Sequence, residues 1–247
     1  MVNRSNTKPQ MNILRYMIAA LTLVLGCAGI PLLGQKTPGK SISVSLDKLS
    51  DQHPQNVKTE LVTYKGRKAL RVIDATPVDV ADGIQLVILN TPEFKDGTIE
   101  VEMAGEPKQN AESGAPRGFV GMAFRLNTDA TNVPHYEGFY LRPTNGRTED
   151  QVRRNHATQY ISYPDRPWFE LRRDFPGKYE SYADMVAGKW IKMRIEVHSK
   201  KADLFLDDAP QPVLIVTDLT QEHGRIALWV GTDTVAHFAN LRVTPSN

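Results

Sequence analysis

"GTIEVEMAG", residues 97–105, decides the fold class. Ile99, Val101 and Met103 alternate with Glu100 and Glu102, the period of two that a strand shows when one face is buried and the other meets water. Working outward, the same period recurs in "SISVSL", "KTELVTYKG", "KALRVID" and "GIQLVIL" before it, and in "GFVGMAFRL", "YEGFYLRP" and "TQYISYP" after it. It continues through "KWIKMRIEVHS", "KADLFLDD", "PVLIVTDL", "GRIALWVG" and "AHFANLRVT". Glycine, proline and asparagine punctuate these runs, and no long stretch carries the 3.6-residue apolar spacing of a helix. Thirteen strands of this kind predict an all-β protein, a jelly-roll sandwich of two antiparallel sheets. Only "RTEDQVRRN" (147–155) is expected to form a short helix or helical turn.

Composition is that of a globular chain: 247 residues, 40% hydrophobic and 23% charged. A net charge of +2 gives no general affinity for nucleic acid or anionic lipid, so only local clusters of arginine carry information about partners. Arg4, Lys8 and Arg15 precede the apolar run "YMIAALTLVLG", which ends at Cys27, the single cysteine. This pattern predicts export, and "VLGC" resembles the lipobox of bacterial lipoproteins, in which the cysteine is lipidated. Residues 1–34 are therefore read as a signal peptide or lipoprotein signal with the start of a tether, 35–40 as a linker, and 41–247 as the folded domain. The expected location is periplasmic or cell-surface, with membrane contact only through an N-terminal anchor. One cysteine allows no internal disulfide and no cysteine-based metal cluster.

Parity separates two faces in the middle of the chain. In "RGFVGMAFRL", Val120, Met122 and Phe124 share one face, while Phe119, Gly121, Ala123 and Arg125 share the other. Small residues on that second face would let a ligand, or another part of the chain, come close to the backbone. In "HYEGFYLRPTNGR" (135–147), Glu137 has the parity of Phe139 and Leu141, whereas Tyr136, Tyr140 and Arg142 have the opposite one.

The succession "GTIEVEM", "RGFVGMAFRL", "YEGFYLRPTN", "TQYISYP", "GKWIKMRIEV", "ADLFLDD", "GRIALWVG" and "AHFANLRV" resembles the concanavalin A-like lectin/glucanase superfamily across residues 85–244. Within it, the chain is most similar to bacterial exported laminin-G-like modules and 3-keto-disaccharide hydrolase-like domains. The resemblance implies two packed sheets, one of them bent into a concave surface that relatives use for glycans.

The block from Arg125 to Tyr182 interleaves aromatic rings with Arg, Asn, Gln and Glu. Sugars stack their CH faces on rings while planar polar side chains bind neighbouring hydroxyls, so this mixture suits a carbohydrate ligand. So many arginines would also match a carboxylate, sulfate or phosphate. Arg125, Tyr140, Arg142, Asn145, Gln159, Tyr160, Trp168 and Arg172 are the expected ligand-binding residues, with Trp168 placed in a loop. The same residues could instead pack a long loop over the sheet or meet another protein.

A glycoside hydrolase needs two carboxylates about 5–10 Å apart. Laminarinase-type relatives carry them as E-x-D-x-x-E on one strand; here "EVEMAGE" lacks the central aspartate, and Glu100 and Glu102 read as a solvated face. Glu137 and Glu180 are the better candidates for acid/base work. The six histidines show no metal-binding spacing, and no G-x-S-x-G elbow occurs. No cofactor is expected; calcium on Asp82, Asp207 and Asp208 is the alternative to reading "LDDAP" as a turn.

Overall fold

The computed structural model of the chain describes residues 1, 39–75, 84–111 and 116–246. Cys27, the leader, most of the tether and Asp82 lie outside the described residues. Lys36–Asn247 forms one compact unit. In chain order its strands are β1 (Ile42–Ser43), β2 (Gln52–Gln55), β3 (Val57–Tyr64), β4 (Arg67–Asp74), β5 (Leu86–Leu89), β6 (Gly97–Pro107), β7 (Val120–Thr128) and β8 (Pro134–Leu141). Then come α1 (Gln151–Asn155), β9 (Thr158–Tyr163), α2 (Trp168–Asp174), β10 (Glu180–Ser181), β11 (Ile191–His198), β12 (Lys201–Leu206), β13 (Leu214–Val216), β14 (Arg225–Val230) and β15 (Thr234–Pro245).

The strands form two antiparallel sheets, the jelly-roll sandwich expected from the alternation. An eight-stranded sheet runs β13-β12-β11-β6-β15-β4-β3, with β1 paired to β15; a seven-stranded sheet runs β10-β9-β8-β7-β14-β5-β2. All thirteen expected strands are present. The two missed ones, β2 and β10, are edge strands of four and two residues, too short for a period to show. Pro54 inside β2 is tolerated because an edge strand needs no ladder bond on its outer side.

Between the sheets lies one hydrophobic core, to which Ile99, Val101 and Met103 contribute from β6, Val120, Met122 and Phe124 from β7, and Phe139 and Leu141 from β8. Glu100 and Glu102 fall on the outer face of the eight-stranded sheet, Glu102 2.8 Å from Arg67 and Glu100 3.6 Å from Lys192. That is the solvated strand face the sequence predicts. A second apolar cluster occupies the outer face of the seven-stranded sheet, with Leu86, Ala123, Tyr136, Tyr140, Ile161 and Trp229 among its members.

Asp207 and Asp208, one of the places considered for calcium, both adopt positive φ in the turn after β12. Asp207 accepts a hydrogen bond from the Lys192 backbone N–H at 2.9 Å, and Asp208 one from the Lys192 ammonium at 2.6 Å. Among the described residues no group of three or more His, Cys, Asp or Glu could hold a metal ion.

Candidate functional site

One transverse row across the seven-stranded sheet places the site. Trp229 (β14) lies opposite Gly121 (β7), Gly121 opposite Tyr140 (β8), Tyr140 opposite Gln159 (β9), and Gln159 opposite Glu180 (β10). Directly opposed residues share a face, so these side chains all point outward from the sandwich. Gly121 has no room for a side chain: a Cβ there would sit 2.6 Å from that of Tyr140. The rings of Tyr140 and Trp229 close over it, stacked with centroids 4.5 Å apart. The small residue in this row therefore serves the chain's own aromatic pile: of the two possibilities for the close approach, it is another part of the chain that fills it.

The open space lies further along, beyond the end of β8. A cleft of about 400 Å³ is lined by Arg117 and Phe119 before β7, Tyr140 and Arg142 at the end of β8, Asn145, Asp150, Val152, Arg153 and His156 in and around α1, and Trp168 and Arg172 of α2. A neighbouring hollow of about 490 Å³ shares His156 and Arg172 with it and continues to Glu180 and Tyr182. Both volumes lie in the range of small-ligand sites.

Arg142 organises the cleft. Its guanidinium donates to the Tyr140 hydroxyl at 2.9 Å, Gln159 Oε1 at 3.2 Å and the His156 carbonyl at 3.0 Å. It also lies 4.9 Å from the Tyr140 ring centre and 5.8 Å from that of Trp168. Asn145 shares the His156 carbonyl: its amide donates to it at 3.2 Å and accepts from Arg153 Nε at 2.9 Å. Arg153 donates further to Thr144 Oγ1 at 3.1 Å. The short helix α1 that carries Arg153 begins at Asp150, whose carboxylate accepts the Arg153 backbone N–H at 3.1 Å.

Trp168 opens α2 rather than lying in a loop. Pro167 precedes the helix, Glu170 sits in its first turn and Arg172 and Arg173 in its last, which are start and stop signals compressed into seven residues. One helical turn separates Trp168 from Arg172, so the guanidinium of Arg172 lies over the indole at 4.6 Å. Arg172 also clasps the buried Glu180 carboxylate, with its closest N–O contact at 2.7 Å. His156 Nδ1 approaches the same carboxylate at 2.8 Å. Burial pushes the His156 pKa down; Glu180 opposes that shift, and Arg172 and Arg142 add to it.

Of the expected ligand residues, Tyr140, Arg142, Asn145, Trp168 and Arg172 line the cleft, and Gln159 supports it through Arg142. Arg125 does not join them. A bulge interrupts the pairing of β7 after Phe124, and Arg125 takes φ +53°, which turns its side chain away from the face of Gly121 and Ala123. Its buried guanidinium donates to the carbonyls of Lys95, Gln221 and Ser199 and to the carboxylate of Asp96. Tyr160 is likewise inside: neighbouring residues of a strand face opposite ways, so with Gln159 outward, Tyr160 joins the core. Its hydroxyl donates to Glu137.

That bond also decides the role of Glu137. Its other oxygen accepts the backbone N–H groups of Thr220 and Gln221 at 2.7 and 2.6 Å and the Thr220 hydroxyl at 3.0 Å. With no exposed surface, the carboxylate pins the 219–221 segment to the sheet and cannot reach a substrate. Of the two acid/base candidates only Glu180 borders open space, and it is held by Arg172 and His156.

The sequence reading missed Arg117. It sits in a loop without alternation, placed by Gly118, whose φ of +68° and close approach to Glu106 leave no room for a Cβ. A larger hollow of about 640 Å³ lies beside β1, β3 and β4, but its described lining is aliphatic and hydroxyl-bearing apart from Asp47, Lys68, Asn240 and the buried Phe238.

No family model matches the chain, and no curated protein matches it. Among solved structures, it is similar to a Bacillus subtilis protein of unknown function with a galectin-like fold, at 10% identity over 86% of this chain and 100% of that one, with a TM-score of 0.53. It is also similar to a "putative glycosyl hydrolase" from Parabacteroides distasonis ATCC 8503, at 11% identity over 84% of this chain and 100% of that one, with a TM-score of 0.52. At these identities the likeness establishes the fold, a galectin-like β-sandwich of two antiparallel sheets.

Proposed function

We propose that the protein is an exported glycan-binding domain whose ligand seats in the cleft between the end of β8, α1 and α2. The single observation that carries this reading is the pairing of a partly buried tryptophan, Trp168, with fixed guanidinium groups in a concave site of ligand size. An indole offers a flat apolar platform to the CH face of a pyranose, while Arg142, held in place by three neutral acceptors, presents its remaining N–H groups to ring hydroxyls. The adjoining hollow at His156 and Glu180 extends the surface toward a second saccharide unit. Export follows from the basic and apolar N-terminal run, with Cys27 as the point of lipid attachment.

Binding is favoured over hydrolysis because, among the described residues, Asp150 is the one carboxylate lining the cleft, and it caps α1; the neighbouring hollow adds Glu180 in its clasp. Hydrolysis of the usual kind asks for a pair across the scissile bond.

A glycan array probed with the full chain and with Trp168→Ala tests the site. The expected result is retention of a subset of glycans by the parent and its loss in the variant. Retention unchanged in Trp168→Ala, with the fold verified by circular dichroism, would remove the cleft from consideration.

A further inference from the structure

Among the described residues, the charges around the cleft do not balance. Arg172 has Glu180, but Arg117, Arg142 and Arg153 have no carboxylate within ion-pair distance among the described residues. Arg142 and Arg153 bond neutral acceptors only: a phenol, two side-chain amides, a hydroxyl and a backbone carbonyl. No side-chain hydrogen bond of Arg117 occurs among the described residues, although it is half-buried. Asp150, the one acidic residue of the lining among the described residues, lies exposed at the rim. Burial and the nearby charges of Arg153 and Arg142 all push the Arg117 pKa down, so the three guanidinium groups act on one another as like charges.

On the outer face of the eight-stranded sheet, by contrast, acids lie beside Arg67, Arg71, Lys192, Arg194 and Lys201. Leaving three arginines without counter-charge in a concave site costs stability unless an anion supplies the missing charge. Concave walls also focus the resulting positive potential into the cleft.

Resting on the glycan reading of this cleft, we propose that its ligand is an acidic saccharide, with a carboxylate or sulfate received by Arg117, Arg142 and Arg153 while a sugar ring lies on Trp168. The planar guanidinium fork matches either oxyanion with two parallel N–H bonds, so the two groups share one recognition chemistry. Neutral saccharides would leave the three charges facing one another.

The test uses the full chain on an array in which each acidic glycan stands beside an uncharged counterpart: oligogalacturonate beside its methyl ester, and sulfated galactan oligosaccharides beside desulfated ones. The expected result is retention of acidic members only, with the uronate and sulfate arms reporting which oxyanion is preferred. Arg117→Gln and Arg153→Gln should each weaken that retention about tenfold, the scale of one charge-assisted contact. Retention should also fall as salt is raised from 50 to 300 mM.

Three results would overturn the inference. Equal retention of acidic and neutral members, still lost in Trp168→Ala, would leave the glycan site standing and remove its charge preference. Acidic retention unaffected by both glutamine variants would place the anion elsewhere. Retention of no glycan of either kind would overturn the glycan reading itself, and this inference with it. Because Arg117 makes no side-chain hydrogen bond among the described residues, its variant should fold even if Arg153→Gln does not.

Discussion

The outer faces of the two sheets alternate with the same period, yet they handle charge differently. On the eight-stranded sheet, Glu100 is matched to Lys192, Glu102 to Arg67, Glu60 to Arg71, Glu196 to Arg194 and Asp203 to Lys201. Beyond the end of the seven-stranded sheet, aromatic rings replace the acids, and Arg117, Arg142 and Arg153 have no carboxylate within ion-pair distance among the described residues. The first arrangement is what solubility asks of a strand face, and each exposed pair adds at most about 1 kcal/mol. The second would be costly on a surface with nothing to bind. On the proposed reading, the bases left without acids beside gathered aromatic side chains are the ones that receive the ligand.

The largest effect expected belongs to neither outer face but to the carboxylate between the sheets. Glu137→Ala leaves the Tyr160 hydroxyl and the Thr220 and Gln221 N–H groups without their acceptor, and should lower unfolding free energy by about 3–5 kcal/mol. Urea denaturation checks this. A loss under 1 kcal/mol would return Glu137 to the list of functional carboxylates.

His237 sharpens the comparison, because it is a buried base on the paired sheet with no acid in ion-pair distance among the described residues. Its ring stacks on Tyr64 at 3.6 Å, and burial together with Arg71 and Lys65 brings its pKa down to about 4. The unfolded chain takes up that proton near the ordinary value of 6.5, so the neutral ring's contribution is complete above pH 6.5 and is lost as pH falls toward 4. The loss would reach about 3 kcal/mol. Comparing urea midpoints at pH 7.5 and 4.5 for the parent and His237→Gln should show a smaller drop in the variant. Equal drops would mean that this ring carries none of the acid sensitivity.

A smaller effect is expected for Arg172→Gln, which unclasps Glu180 and removes a cation from the Trp168 face. A loss of about 1–2 kcal/mol is expected, since the pair is part-exposed on the arginine side. Smallest of all, Glu100→Gln should change stability by less than about 0.5 kcal/mol and leave glycan retention as it was. A glycan phenotype for Glu100→Gln would break the distinction between the two faces.

How far the sequence foretold this follows from which signals repeat. Alternation recurs in every long strand, so the sandwich was legible even though β2 and β10 were not: four residues around Pro54, and two residues at an edge, hold too few turns of the pattern. The aromatic and arginine density of residues 125–182 pointed to the end of the molecule where Tyr140, Arg142, Asn145, Trp168 and Arg172 line a cleft. Individual assignments failed where local geometry departs from the pleat. A bulge after Phe124 turned Arg125 inward, and simple adjacency to Gln159 put Tyr160 in the core. Trp168 read as a loop residue because α2 spans seven residues with a single buried position, Leu171. Arg117 had no periodic neighbours to mark it.

The central claim is that ligand meets the Trp168 face and not the paired one, and the chain's three tryptophans can report on it. Trp168 lines the cleft, while Trp190 lies under Arg67 on the eight-stranded sheet. In a titration of the full chain, labelled with ¹⁵N, by the glycan it retains best on the array, the Trp168 indole N–H signal should move progressively and the Trp190 signal should stay in place. Movement of Trp190 with Trp168 unchanged would contradict the account.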